Sequence, residues 1–181
     1  MVELMILGFL ADGPLHGYEL RRKMEQLHGY ARTISDGTLY PAITRMIAAG
    51  QVRAEDEVGV RSGARRRLHV TDTGLARLRE RLRTADGHDL SDLSHYIVVL
   101  AFLSHLPDED ERQAVLRRRL TFLEGAASFF VEGDEPVRSS DLDDPYRQAI
   151  TSLARATRAA DLRWLRGQLP ADTGIDEGDR P

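Results

Sequence analysis

Apolar positions fall at helical spacing over most of the chain and form short extended runs in only one place. Leu4, Met5 and Leu7, with Phe9 or Leu10, mark the buried side of a helix over about Val2–Ala11, which Asp12-Gly13-Pro14 stops. Leu20, Met24 and Leu27 stand at i, i+4 and i+7 and predict a second helix from near His16 to His28, with Gly29 just past its end. Ser35 reads as the N-cap of a third helix, with Ile34 and Leu39 in hydrophobic-staple positions, Leu39, Ile43 and Met46 as its core face, and Gly50 as its end. From Val52 to Glu57 and from Arg65 to Val70 the pattern becomes extended, around a tip rich in glycine and serine. Thr71 then caps a fourth helix whose face is Leu75, Leu78 and Leu82.

Three helices followed by a hairpin with a basic tip is the order of a winged helix-turn-helix. After Asp86-Gly87-His88-Asp89, which reads as a linker, Leu90–His105 predicts a helix apolar nearly all round and therefore buried by others. From about Asp108 a further helix sets Leu116, Leu120, Leu123, Ala127 and Phe130 in a coiled-coil-like seam. Glu132–Asp144 reads as a loop. A last helix over about Pro145–Leu169 carries Tyr146, Ile150, Leu153, Thr157, Ala160 and Trp164 in a similar seam. The expected fold is mainly α: a winged helix-turn-helix DNA-binding domain over 1–84 with a two-stranded wing, an all-helical dimerisation and effector domain over 85–170, and a disordered tail over 171–181.

Charge sharpens this division. The net charge of −4 hides a front half, 1–84, with 14 basic against 10 acidic side chains and a back half with 11 against 19. An anionic partner such as double-stranded DNA is expected to meet the front half alone. The chain has no cysteine, which excludes disulfides, thiol nucleophiles and Cys-based zinc sites and suits a reducing, cytoplasmic setting. The opening apolar run carries Glu3 and lacks a basic flank, so it reads as neither a signal peptide nor a membrane span.

Candidate chemistry concentrates in the front half. On the third helix the side opposite the core face holds Gly37, Thr38, Pro41, Thr44, Arg45 and Ala48, a small polar surface with one arginine. It suits either a major-groove reading face or an ordinary solvated one, and Tyr40 lies between faces and fits the core as well. At the start of the second helix, His16, Gly17 and Tyr18 suit either phosphate contact or capping and packing, and Glu19 with Lys23 reads as a surface pair. Arg61 with Arg65, Arg66 and Arg67 gathers like charge on the hairpin, a cluster that repels itself unless an anion is near. Strand alternation points Arg66 to one side and Arg65 and Arg67 to the other.

Leu15-His16-Gly17-Tyr18-Glu19-Leu20, then Gly37-Thr38-Leu39-Tyr40-Pro41-Ala42, then the basic hairpin running into Val70-Thr71-Asp72-Thr73-Gly74, resemble the PadR family of transcriptional regulators. The back half is similar, in helix pattern and length, to the longer-tailed branch with a helical virulence-activator-like C-terminal domain. The resemblance implies a dimeric winged-helix repressor released by a small aromatic effector. It implies backbone contacts from His16, Gly17 and Tyr18, groove and phosphate contacts from Thr38, Tyr40, Pro41 and Arg45, and a wing formed by Arg65, Arg66 and Arg67. Ser35, Thr44 and Arg61 complete the expected DNA-binding set. Dimerisation is expected from Leu116, Leu120, Leu123, Phe130, Tyr146, Ile150, Leu153 and Trp164. Tyrosines common near the family's second wing strand are replaced here by Arg67 and Leu68.

Two other function classes compete with this reading. A helical protein-interaction module would use the two seams without DNA specificity. A small metal-dependent enzyme would need a site such as Asp86, His88, Asp89, Asp92 and His95, residues that capping explains as well; no HExxH, GxSxG, P-loop or GxGxxG motif occurs. No cofactor and no metal ligand are expected.

Overall fold

The computed structural model describes residues 1–29, 33–57, 65–125, 131–132, 135–136 and 142–170, with backbone alone at Glu57, Arg65, 131–132 and 135–136. The expected hairpin tip with Arg61, the seam residues Ala127 and Phe130, and the tail over 171–181 lie outside the described residues. The order of elements is α1 (Val2–Asp12), β1 (Leu15–His16), α2 (Gly17–Leu27), α3 (Asp36–Ala48), β2 (Val52–Glu57), β3 (Arg65–Val70), α4 (Asp72–Arg83), α5 (His88–Ser91), α6 (Leu93–Phe102), a 3-10 turn (Leu103–His105), α7 (Glu109–Glu124), β4 (Val131–Glu132), β5 (Glu135–Pro136) and α8 (Pro145–Gln168). The chain divides into two compact units, Met1–Val115 and Leu116–Pro181. Among the described residues no helix is long and apolar enough to cross a membrane.

In the first unit α1 is the hub. Leu4, Met5, Ile6, Leu7 and Leu10 are all buried, so α1 is covered on several sides rather than on one stripe. It touches α2, α3, α4, α6 and β3. Gly8 matters here because the Phe102 ring of α6 occupies the space a Cβ would need, 2.4 Å away. Phe102 also meets Phe9 edge to face, with ring centroids 5.0 Å apart.

The wing is a three-stranded antiparallel sheet in the order β1-β3-β2, one strand more than the two extended runs predict. β1 is only Leu15 and His16, paired with Leu68 and Arg67, and two residues carry no alternation to read. The base of the wing is welded to α4 by the Val70-to-Gly74 segment. Thr71 Oγ1 donates to the Gly50 carbonyl at 2.6 Å and accepts from the Gly74 N–H at 3.1 Å. Gly74 itself presses on the Gln51 carbonyl, where a Cβ would stand 2.1 Å from the oxygen.

Three expectations about the second half change. The single helix over Leu90–His105 is broken at Asp92, whose carboxylate accepts the Ser94 hydroxyl at 2.5 Å and the His95 N–H at 3.0 Å and so starts α6 afresh. These bonds, the Ser94 hydroxyl first, hold the Asp92 carboxyl down to about 2. Division after Thr84 also gives way to division within α7. α6 is docked on α1 through Phe102, while Arg83 grips Glu111 at 2.6 Å and Arg79 donates to the His105 carbonyl at 3.3 Å, so residues 85–115 pack with the front half. The expected loop over Glu132–Asp144 contains the small antiparallel pair β4 and β5.

In the second unit α8 packs on the end of α7 with its polar side inward. Arg119 and Asp161 form a buried ion pair at 2.6 Å, with side chains 4% and 11% exposed. The Arg158 guanidinium donates to the Leu123 carbonyl and, at 2.9 Å, to that of Gly125, closing the C-terminus of α7. Thr151 and Leu165 complete the inner side. Tyr146, Ile150, Leu153 and Trp164 are exposed, Tyr146 by 81% and Leu153 by 69%. Leu116 and Leu123 are covered within the protomer and Leu120 is half-buried, so the two expected seams differ: α7's is largely used inside the chain and α8's is not.

Candidate nucleic-acid interface

The face to be tested is assembled from α2, α3 and the wing. α2 starts at Gly17 because the His16 N–H is taken by the Glu19 carboxylate at 2.8 Å, a reciprocal cap three residues on. That bond is the main reason the Glu19 carboxyl sits below the usual range. Glu19 is therefore a capping residue rather than the surface partner of Lys23, whose ammonium lies 5.8 Å from the centre of the Phe9 ring.

The His16 ring is buried and contacts the Arg66 carbonyl through Nδ1 at 3.2 Å, the geometry of an Nδ1–H donor. Its other face runs parallel to Tyr18, with centroids 5.8 Å apart. His16 thus ties the start of α2 to β3, while Tyr18 is 55% exposed. Tyr40 is 48% exposed and is not core; its ring crosses Gly17, where an added Cβ would come within 3.1 Å of Cε1.

α3 runs through Pro41 without a break. Thr38 and Leu39 both donate to the Ser35 carbonyl at 3.0 Å, a tightened first turn. Ser35 caps through its backbone, and its hydroxyl instead meets that of Thr38 at 2.9 Å. Leu39, Ala42, Ile43 and Met46 are buried, and Thr38, Pro41, Thr44, Arg45 and Ala48 are exposed, so the 3.6-residue reading of the two faces matches the packing. Thr44 Oγ1 donates to the Tyr40 carbonyl at 3.0 Å. Arg45 extends from this face with Glu3 of α1 at 3.7 Å.

A notch of about 420 Å³ lies between α3 and the wing, lined by His16, Tyr18, Tyr40, Thr44, Ile47 and Arg66 among others. Arg66 is on the notch side, as strand alternation requires. Arg67 is half-buried, and for Arg65 only the strand position is described.

The electrostatics of the wing are not those of a bare basic cluster. The register of β2 on β3 sets Glu55 opposite Arg67, Asp56 opposite Arg66 and Glu57 opposite Arg65. Asp56 and Arg66 pair at 3.0 Å, and Glu55 also receives Arg53 and His69 at 3.2 Å. The charge of Arg66 is therefore offset within the sheet without an external anion. Glu55-Asp56-Glu57 was the signal for this, and it needs the register to become legible. Around the imagined metal site, Asp92 is committed to capping α6, Asp89 lies 3.6 Å from Arg81, and His88 meets His95 ring to ring; among the described residues no group of three ligating side chains is placed to hold a metal.

Comparison with known proteins bears on the same stretch. The profile of the transcriptional regulator PadR-like family matches residues 6–80. Transcriptional regulator Rv3488 of Mycobacterium tuberculosis is 39% identical over 85 residues, 47% of this chain and 76% of that protein. An uncharacterized 37.1 kDa protein in transposon TN4556 of Streptomyces fradiae is 35% identical over 107 residues, 59% of this chain, and the match spans only 27% of that relative's length. Among solved structures, Bacillus subtilis PadR in complex with operator DNA is similar at 17% identity over 94% of this chain and 98% of that one, with a TM-score of 0.46.

Proposed function

Because the chain belongs to the PadR-like family of transcriptional regulators, we propose that it is a sequence-specific DNA-binding repressor that holds a pseudo-palindromic operator as a homodimer. The observation that carries the reading is the outward face of α3, where Thr38, Pro41, Thr44 and Arg45 stand exposed beside a notch closed by the wing. A major groove accepts a helix of this width, Arg45 suits the paired acceptors of a guanine, and Thr38 and Thr44 suit base or phosphate contacts. Tyr18 and Tyr40 flank the notch where a sugar-phosphate strand would run, with Gly17 allowing close approach; Arg66 serves the phosphates there, and Arg65 and Arg67, on the other side of the strand, serve phosphates outside the notch. Buried His16 acts by holding α2 against β3.

The second copy is the occupant proposed for the α8 stripe of Tyr146, Ile150, Leu153 and Trp164. A helix of 24 residues is about 36 Å long, and a stripe continued through Thr157 and Ala160 at alternating spacings of four and three is the pattern by which two helices pair. A dimer also sets two recognition helices about one DNA turn apart. Release by a small aromatic ligand belongs to the same reading on family grounds. Of the aromatic residues of the back half, Tyr96 and Phe102 are buried in the first unit, and Trp164 on α8 is placed to report binding by its fluorescence.

The test is to titrate the full chain with DNA from upstream of its own coding sequence and with scrambled DNA at several salt concentrations, recording oligomeric state by light scattering. Preference for the upstream DNA by a dimer is the expected result. Equal, purely salt-dependent affinity for both would leave a charged surface with no reading function.

A further inference from the structure

Three arginines on α2, α3 and the wing each meet a carboxylate of another element: Arg21 with Asp36 at 2.7 Å, Arg45 with Glu3 at 3.7 Å and Arg66 with Asp56 at 3.0 Å. All three pairs are solvent-exposed, and Asp56 and Arg66 are each 66% exposed. Exposed pairs of this kind add little to folding stability, and of the three it is Arg66 with Asp56 whose arginine lines the notch between α3 and the wing.

From this arrangement we propose that Asp56 is a tethered counter-ion for Arg66 which restrains attachment of the wing to DNA of any sequence. The inference rests on the DNA-binding reading above and adds a residue, with an opposing sign, that the reading does not contain. A phosphate approaching Arg66 must displace Asp56 or lie beside it. In the first case the guanidinium exchanges one anion for another; in the second, the carboxylate repels the incoming phosphate. Both lower the gain from that contact, and both act on every sequence, because all duplexes present the same phosphates. Arg45 is held less closely, 3.7 Å from Glu3 against 3.0 Å for Arg66 and Asp56, so contacts from the outer face of α3 to base edges meet a smaller penalty and base reading carries a larger share of the binding.

Salt dependence gives the signature. A free arginine on a phosphate releases roughly one condensed cation, about 0.9 in the slope of log affinity against log salt. An arginine that leaves a carboxylate behind releases fewer, since the freed carboxylate draws a cation back. Arg66 is thus a muted phosphate ligand while Asp56 is present and a full one when it is neutral. Nothing in the register prevents the exchange: Asp56 and Arg66 are directly opposed on β2 and β3, and their backbones stay paired while the side chains part.

The experiment uses the full chain as wild type, Asp56→Asn, Asp56→Ser, Arg66→Gln and the Asp56→Asn/Arg66→Gln double variant. Asp110→Asn, on the exposed first turn of α7, makes the same change of charge elsewhere. Each is titrated by fluorescence anisotropy into a short random-sequence duplex between about 50 and 200 mM salt, after circular dichroism has matched its folding to wild type. Asp56→Asn and Asp56→Ser are expected to tighten random binding about threefold to tenfold and to steepen the salt slope by up to about one unit. In the Arg66→Gln background the gain disappears, and Asp110→Asn gives a smaller change with no added slope. An Asp56→Asn effect no larger than that of Asp110→Asn, or one that persists without Arg66, overturns the proposal while leaving the DNA reading intact. Failure of wild type and every variant to bind the duplex at the lowest salt overturns both.

Discussion

The two units of this chain use the same kinds of residue in opposite places. In the first, leucine, methionine and isoleucine of α1 are sealed inside by five other elements, and arginines lie outside. In the second, Arg119 and Asp161 are inside the α7–α8 contact, and Tyr146, Ile150, Leu153 and Trp164 are outside. Burying an ion pair contributes little net stability and demands good geometry, while leaving a tyrosine and three large apolar side chains in water gives up the main driving force of folding. Under the proposed reading, a second copy covers this stripe. The first unit stands on its own core and offers a polar surface; the second offers an apolar one.

The largest effect should come from attacking the exposed stripe. Leu153→Asp places a charge at the centre of the proposed dimer contact and is expected to raise the dimer dissociation constant by roughly 30-fold or more, the range of a hot-spot residue. Sedimentation of wild type and variant across concentration measures it, and unchanged self-association would remove α8 from the interface. The buried pair sharpens the other side of the comparison. Arg119→Ala leaves Asp161 buried without its partner and is expected to cost about 3–5 kcal/mol in chemical denaturation, whereas Arg119→Met with Asp161→Leu recovers most of it.

In the first unit, Gly74→Ala drives a Cβ into the Gln51 carbonyl. The expected loss is about 1–3 kcal/mol, the range for overpacking, with hydrogen exchange accelerated in β2 and β3 if the Thr71–Gly74 weld anchors the wing. Smallest is the acid response of Asp92. Its folded pKa of about 2 is below the ordinary 3.8, so its contribution is complete above about pH 4 and is lost as pH falls through 2. The gap in unfolding midpoint between wild type and Asp92→Ala should narrow over that window and stay constant above it.

What could be read in the sequence depends on whether a feature is local. β2 and β3 were found at their observed limits because alternation and a glycine-serine tip are local signals, and the outer face of α3 because three buried residues fix the helix phase. β1 escaped because its two residues become a strand only by pairing with β3, some fifty positions away. The acidic strand was in plain view as Glu55-Asp56-Glu57, but only register tells that each of these positions lies opposite an arginine of β3. Arg119 carries no local signal of burial in the sequence, because its partner is on another helix. The α8 seam had the right period, and periodicity alone does not say whether a stripe faces the same chain or another. At Asp92 the cap was legible in its spacing from His95, yet the apolar run that follows hid the break.

The reading function proposed for α3 has one most direct measurement: binding of wild type, Arg45→Ala and Arg66→Gln to upstream and to scrambled DNA at fixed salt. Arg45→Ala is expected to cost about 1–3 kcal/mol on the upstream site and little on scrambled DNA, while Arg66→Gln shifts both by a similar factor. Equal losses on both DNAs for Arg45→Ala would contradict base reading by α3.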